Sequence, residues 1–275
     1  MPLKPSFETL AFGSQNIEIM RCAGADRPHA ILLPGARGGL RSYRDFAEML
    51  AAKGIPSIGI NPRGCGASDG LTGDMTLRDL ARDVLKVAAR ETAAPLLLVG
   101  HAGGNRIARM ATTLEPDRVA GIVLVAAGGM IPAEPEAAAA RAKLVAGEYS
   151  SRAEERALMQ TCFFAPDTAI PDWYFDVPDH SYDYARAFIK CQETVPVEEW
   201  WGGGGKRMLV IQGKQDRTAP PRNGHDLQAE FPDRVRCVDI DDAGHILTLE
   251  QPGIITDLIV GFAAEVQVPL QTATA

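Results

Sequence analysis

Short runs of apolar residues recur along the chain, and segments with helical periodicity separate them. Most of these runs are apolar at every position rather than at alternate positions, which predicts strands buried on both faces. Such strands belong to a parallel sheet that is covered by helices on each side. The runs lie at residues 29–35, 55–60, 94–100, 119–128, 206–213 and 234–240.

Two earlier segments, FETLAF and NIEIMRCAG, alternate more clearly and predict an antiparallel edge to this sheet. Helices are predicted over 41–53, over 76–91, after Ala102 and around 254–262. Thr76 and Asp79 are spaced as a capping box at the start of the second of these helices. We therefore expect an α/β fold with a doubly wound, mostly parallel, eight-stranded sheet.

Residues 131–205 interrupt the alternation, because they contain helical segments and no convincing core strand. We expect a helical cap at 131–205, inserted into a core domain made of residues 1–130 and 206–275. The cap should end in a flexible joint at EEWWGGGGK, and the tail VPLQTATA should be disordered. The aromatic residues of the cap either line a lid over a pocket or form the cap's own core: they are Trp173, Tyr174, Phe175, Tyr182, Tyr184, Trp200 and Trp201.

The composition excludes several classes of protein. A net charge of −7, from 28 basic and 35 acidic residues, disfavours nucleic-acid binding and docking on anionic membranes. Five cysteines without CxxC spacing indicate reduced thiols rather than a disulfide framework. MPLKPSFETL has no apolar signal-peptide core, so we expect a cytoplasmic protein.

No metal-ligand spacing or phosphate-binding motif occurs, so we expect no metal or cofactor. The predicted partner is a small, partly apolar substrate, and a homo-oligomer is possible.

Loops with chemically suggestive sequences follow the predicted strands, at the edge where open parallel sheets bind ligands. In chain order they are LLPGARGG (32–39), NPRGCGASDG (61–70), GHAGG (100–104), QGKQDRTAP (212–220) and DDAGHILTLEQP (241–252). Their forms and order resemble the α/β-hydrolase fold family with a helical cap, over nearly all of residues 7–265. The chain departs from the family pattern at Pro34, at Asn61 and at Ala102.

The resemblance implies a role for each loop. Asp216 would orient His245, and the imidazole would take a proton. Ala102 occupies the nucleophile position of the G-x-S-x-G elbow. The backbone N–H groups of Ala36 and Gly103 would form an oxyanion hole, the second at a helix N-terminus that favours negative charge.

The resemblance implies a structural role for the loop at 61–70, beside the site. Its Cys65 thiol could attack a substrate, but buried cysteines are usually inert. Arg37 either contacts a substrate carboxylate or is a solvated loop arginine, and His101 either packs within the elbow or contacts substrate. The remaining candidate substrate contacts are Trp173, Trp200 and Trp201.

Three hypotheses follow from the alanine at position 102. In the first, a hydrolase of esters, lactones or activated C–C bonds uses His245 to activate water, and a proton-transfer lyase is a variant of this scheme. In the second, an ordinary serine hydrolase carries an introduced Ser-to-Ala change. In the third, the protein binds a ligand without turnover. The sequence GHAGGNRIAR, with Asn105 in place of a second glycine, favours a natural alanine.

Overall fold

The computed structural model describes residues 4–22, 30–176 and 182–266. Its eight strands form one sheet in the order β1-β2-β4-β3-β5-β6-β7-β8. The strands are β1 Ser6–Phe12, β2 Gln15–Arg21, β3 Ala30–Leu33, β4 Ser57–Ile60, β5 Leu96–His101, β6 Val119–Val125, β7 Met208–Gly213 and β8 Val235–Ile240. β2 runs antiparallel to β1 and β4, and all other pairs are parallel, so the predicted parallel sheet with an antiparallel edge is confirmed. His29, at the start of one predicted run, lies outside the described residues, as does the tail from residue 267.

Helices cover both faces of the sheet. They are α1 Arg44–Ala52, α2 Leu77–Glu91, α3 Gly103–Leu114, α4 Pro135–Ala146, α5 Arg152–Phe163, α6 Tyr182–Glu193, α7 Val197–Trp201, α8 Arg222–Glu230, α9 Leu247–Glu250 and α10 Pro252–Glu265. The predicted capping box is present at the start of α2, where the Asp79 carboxylate accepts the Thr76 N–H at 3.0 Å. Within the described ranges, no helix has the length and apolar character needed to cross a membrane.

The continuous apolar runs have a direct structural cause. In β5, Leu98 packs with residues of α2 and α3 on one face, whereas Leu97 and Val99 pack with residues of α1 and α10 on the other. Successive side chains of a strand point to opposite faces, so a strand covered on both sides must be apolar at every position. This arrangement leaves the carboxyl ends of the strands as the place where loops can build a site.

The segment between β6 and β7 carries α4 to α7 and, among its described residues, no strand. Leu144, Met159, Phe164 and Tyr174 form a separate apolar cluster there, which also includes Ile246 of the core domain. The cap is thus helical and rests on a loop of the sheet. Its predicted limits of 131 and 205 remain a prediction.

The joint predicted before β7 consists of a short helix and a glycine turn. Residues 197–201 form helix α7, and Gly203, Gly204 and Gly205 form a turn with φ values of 54°, 57° and 78°. A Cβ at Gly204 would collide with the carbonyl group of Thr112 in α3. The glycines are therefore needed for a close approach of two backbone segments and a left-handed turn.

Candidate active site

Ala102 lies at the apex of a sharp turn between β5 and α3. Its φ of 49° and ψ of −114° fall in a sparsely populated region, which costs about 1–3 kcal/mol for a residue with a side chain. A Cβ at Gly104 would overlap the carbonyl oxygen of Leu33, and a Cβ at Gly100 would press on the backbone of Asn105. These glycines allow the strained turn, which holds residue 102 at the carboxyl end of the sheet.

Two backbone N–H groups flank Ala102. Gly103 begins α3, so its N–H has no partner within the helix. Ala36 follows Gly35, where an added Cβ would stand 3.2 Å from the Cβ of Ala102. Neither N–H has a hydrogen-bond acceptor among the described residues, and both residues line the same cavity. The pair is therefore available to a negatively charged oxygen, as the resemblance implies.

His245 and Asp216 come together beside this turn. The Nδ1–H of His245 donates to Oδ2 of Asp216 at 2.8 Å, which leaves the other ring nitrogen, Nε2, with its lone pair. Oδ1 of Asp216 accepts the backbone N–H groups of Thr218 at 2.9 Å and Ala219 at 2.7 Å. Because three donors hold the buried carboxylate, it fixes both the tautomer and the orientation of the ring.

The loop that carries His245 is fastened to the cap. The carbonyl of Phe163, at the end of α5, accepts the backbone N–H of His245 at 2.7 Å and that of Ile246 at 3.2 Å. The Glu250 carboxylate accepts the N–H of Gly244 at 2.9 Å and that of Ala165 at 2.7 Å. Glu250 is part of the motif DDAGHILTLEQP. Its role in joining the loop of Gly244 to Ala165 of the cap depends on how the cap docks, which the motif does not indicate.

His101 packs beneath the site and is a positioning residue rather than a demonstrated substrate contact. Its Nε2–H donates to the carbonyl of His245 at 2.7 Å. Burial lowers the pKa of His101 to about 3, and the facing His245 acts in the same direction. The ring is therefore neutral at ordinary pH, although its edge also lines the cavity.

The loop at 61–70 has the structural role that the resemblance implies. Asn61 is fully buried, donating to Glu18 at 2.7 Å and accepting the backbone N–H of Leu40 at 3.0 Å. Cys65 is 1% exposed and does not line the cavity, so the structure gives no support to a nucleophilic thiol there.

A cavity of about 360 Å³ lies between these loops and the cap. It brings together the predicted residues Ala36, Arg37, Ala102, Gly103 and His245. Sequence reasoning missed further lining residues, which include Arg106, Arg141, Phe163, Phe188, Ile189, Gln192, Glu193 and Thr218.

Arg37 lines the cavity, but its guanidinium is engaged by the cap. Its Nη2 lies 3.3 Å from Oε1 of Glu155, and Arg152 contacts the other oxygen of the same carboxylate at 3.1 Å. The sequence predicts either a substrate contact or a solvated loop arginine. The Arg37 side chain is only 10% exposed and links the loop after β3 to α5, so the solvated arginine is wrong. The substrate contact stays a prediction.

The structure places the three tryptophans outside the cavity, which corrects their prediction as substrate contacts. Trp173 is 46% exposed. Trp200 and Trp201 are buried on α7, where their rings pack against the guanidinium of Arg109 with its carbon 4.5 and 5.1 Å from their centroids. Among the described residues, the phenylalanines Phe163 and Phe188 line the cavity.

His225, Cys237 and Asp239 are grouped on α8 and β8, with one potential ligand atom of each within 4.8 Å of the others. Nε2 of His225 already contacts both carboxylate oxygens of Asp239, at 3.0 and 2.9 Å. Burial raises the pKa of the Cys237 thiol to about 12, with Asp239 adding to the effect. Metals bind the thiolate form, so the pairing of His225 with Asp239 accounts for this group without a metal.

Comparison with known proteins supports the fold. The model of the alpha/beta hydrolase fold family matches residues 28–252. A membrane phospholipase A described as a bacterial virulence factor has a TM-score of 0.78 at 18% identity, covering 97% of this chain and 88% of that protein. A hydrolase from Pseudomonas aeruginosa has a TM-score of 0.77 at 18% identity, covering 94% of this chain and 98% of that protein. Carboxylesterase CesB from Bacillus subtilis has a TM-score of 0.73 at 14% identity, covering 96% of this chain and 93% of that protein. No curated protein matches the chain.

An eight-stranded sheet with an elbow after β5 and an Asp–His pair after β7 and β8 defines the class of fold. Together with the family match over residues 28–252, this arrangement shows that the chain belongs to the α/β-hydrolase fold family. The predicted fold class is confirmed.

Proposed function

We propose that the protein is a small-molecule hydrolase that attacks its substrate with water activated by His245, without a covalent intermediate at position 102. Its substrates are esters, lactones or ketones with an activated C–C bond. The observation that carries the proposal is the 2.8 Å hydrogen bond between His245 and Asp216 beside a turn whose apex has no hydroxyl group.

The chemistry follows from the placement of the groups. Nε2 of His245 takes a proton from water, and the hydroxide oxygen forms a bond to the carbonyl carbon. The N–H groups of Ala36 and Gly103 stabilise the resulting oxyanion, and loss of one such donor typically lowers kcat by about 10²–10³. The intermediate then expels the leaving group, which recovers the proton from the imidazolium. Asp216 remains a carboxylate throughout and stabilises the positive ring.

A site without a serine hydroxyl can still accelerate hydrolysis substantially. In a serine protease, removal of the triad costs on the order of 10⁶ in kcat, yet oxyanion stabilisation and binding alone retain about 10³–10⁴ over water. A positioned general base adds about 10²–10⁴. Activated substrates are therefore within reach of this site.

Hydrolysis of p-nitrophenyl butyrate and of an aryl lactone by the purified protein tests the proposal. His245→Ala should lower kcat/KM at least 100-fold on the better of the two substrates. His225→Ala is the matched control, because His225 is an exposed histidine that pairs with Asp239 and does not line the cavity, and it should behave as the parent. Turnover no faster than in buffer, or equal rates for the parent and His245→Ala, would contradict the proposal and favour ligand binding without turnover.

A serine hydrolase with serine at position 102 is the second candidate, and the retained geometry of the elbow favours it. Ala102→Ser distinguishes the two. Rapid labelling by a fluorophosphonate together with a gain in activity of several orders of magnitude would show that the site is built for a covalent path. Weak labelling and a modest change in rate would support the water mechanism.

A further inference from the structure

Arg106 and Arg141 place two guanidinium groups in the wall of the cavity, and neither has an ion pair or a hydrogen bond with another described residue. We infer that the substrate carries a carboxylate that these two arginines hold, several bonds away from the carbonyl that is attacked. This inference rests on the proposed function, because it names the substrate class of the same site.

Arg106 is held in place by packing rather than by an acidic partner. It belongs to α3, and its guanidinium carbon lies 5.5 Å from the centre of the Trp200 ring. One of its terminal nitrogens faces the loop after β6, where a Cβ added at Gly128 would stand 3.8 Å from it. The absence of a side chain at Gly128 thus leaves space beside the guanidinium.

Arg141 approaches from the cap, on α4, and the two positive charges act on each other. Burial lowers the pKa of Arg106 to about 10, and the neighbouring Arg141 adds to the decrease. Two like charges that line one partly buried cavity repel each other unless an anion binds between them. A bound carboxylate supplies that anion and accepts charge-assisted hydrogen bonds from both guanidinium groups.

The other charges at the cavity do not neutralise this pair. Glu155 is already engaged by Arg37 and Arg152. Glu193 lines the cavity but is exposed to solvent and forms no ion pair with either arginine. His245 lies at the site of attack, and its carboxylate partner is Asp216. A positive subsite is therefore left in a protein whose net charge is −7.

Arg106 lies close to the elbow along the chain. It is the fourth residue of α3, the helix that begins directly after Ala102, and four residues of a helix extend about 6 Å along its axis. Both Ala102 and Arg106 line the same cavity. A half-ester of glutaric acid, whose carboxylate is a few carbons away from the attacked carbonyl, is therefore a suitable probe.

A matched pair of esters tests the inference. We expect p-nitrophenyl hemiglutarate to be hydrolysed with a kcat/KM at least tenfold above that of p-nitrophenyl butyrate. Arg141→Gln and Arg106→Gln should each remove most of this preference, which is the ratio of kcat/KM for the anionic ester to kcat/KM for the neutral ester, mainly through a higher KM for the anionic ester. Arg222→Gln changes an exposed arginine on α8 and should preserve the preference. An equal preference in the parent and both cavity variants would overturn the inference.

Binding measurements test the carboxylate subsite independently of whether the protein hydrolyses esters. Calorimetry compares the affinity of glutaryl p-nitroanilide with that of butyryl p-nitroanilide, which lacks the carboxylate. Tighter binding of the anionic anilide by the parent, at least tenfold and lost in Arg141→Gln and Arg106→Gln, supports the carboxylate subsite even if no ester is hydrolysed. Equal binding of the two anilides by the parent overturns the subsite even if His245 proves to be the base. Melting temperatures of the variants confirm that they are folded, and Arg106→Lys, which retains the charge, should retain part of the preference.

Discussion

The Nε2–H of His101 donates to the backbone carbonyl of His245 across 2.7 Å, so that a histidine of the elbow positions another histidine in the loop after β8. This contact requires a neutral or protonated ring with hydrogen on Nε2. Burial and the facing His245 keep the pKa of His101 at about 3, which selects the neutral form. A residue of the elbow thereby fixes the loop that carries the proposed base.

The burial of His101 predicts a loss of stability in acid. The unfolded chain binds a proton at His101 near its ordinary pKa of about 6.5, whereas the folded chain does not until about pH 3. The unfolded state thus holds more protons between these values, and the free energy of unfolding decreases as the pH falls below 6.5. The linkage amounts to about 2 kcal/mol between pH 8 and pH 5.

Urea denaturation at pH 8 and pH 5 measures this effect. His101→Gln preserves an N–H donor without a titrating group, so its free energy of unfolding should fall by less than that of the parent over the same interval. An identical decrease in the parent and in His101→Gln would show that other groups cause the acid sensitivity.

Gly104 predicts a steric limit at the elbow. Gly104→Ala places a Cβ against the carbonyl oxygen of Leu33, which is backbone and cannot move aside freely. We expect a loss of several kcal/mol, or failure to fold, measured by thermal and urea denaturation. Gly261→Ala in α10 meets no atom within 4 Å and should stabilise the protein by about 0.5–1 kcal/mol. A Gly104→Ala protein as stable as the parent would contradict the close packing of β3 and α3.

Asn105 belongs to a buried hydrogen-bond network around α3, and its replacement should lower the free energy of unfolding. Its Oδ1 accepts from the buried Arg109 at 2.6 Å, and its amide donates to the carbonyl of Ala126 at 3.3 Å. Asn105→Ala leaves that guanidinium with fewer acceptors, and we expect a loss of about 2–4 kcal/mol in unfolding free energy. The control is Asn16→Ala, at an exposed asparagine, which should change stability by less than about 1 kcal/mol. Equal losses in the two variants would mean that the network contributes little.

Much of the fold and of the proposed catalytic centre could be predicted because each part is local in sequence. The strand pattern follows from burial on both faces, and the GHAGG turn needs its glycines whatever surrounds it. Asp216 and His245 follow the strands that place them side by side. Arg106 was also within reach, because it lies one helical turn after Ala102.

The contributions of the cap could not be predicted in the same way. Whether Trp200 faces a pocket or the core depends on how α7 docks on α3, and here its ring packs against Arg109. Phe188 and Arg141 reach the cavity only because α6 and α4 lie over the elbow. These contacts are set by tertiary packing, which residue spacing within the cap does not specify.

The carboxylate of Asp216 predicts a large effect of a small change. Asp216→Asn keeps the shape of the side chain but removes the charge that selects the Nδ1–H form of His245 and stabilises the protonated ring. We expect kcat for p-nitrophenyl butyrate to fall by a factor on the order of 10³. Asp226→Asn, at a partly exposed carboxylate on α8 that does not line the cavity, should leave kcat unchanged. A loss smaller than threefold in Asp216→Asn would remove Asp216 from the mechanism.

The most direct test of the water mechanism is the pre-steady-state time course of p-nitrophenol release, followed by stopped flow and by intact mass during turnover. The parent protein should release p-nitrophenol linearly from the first turnover, show no acyl adduct in its mass, and lose at least 100-fold in rate in His245→Ala. A burst equal to the enzyme concentration, accompanied by an acyl adduct on the parent chain, would contradict the account.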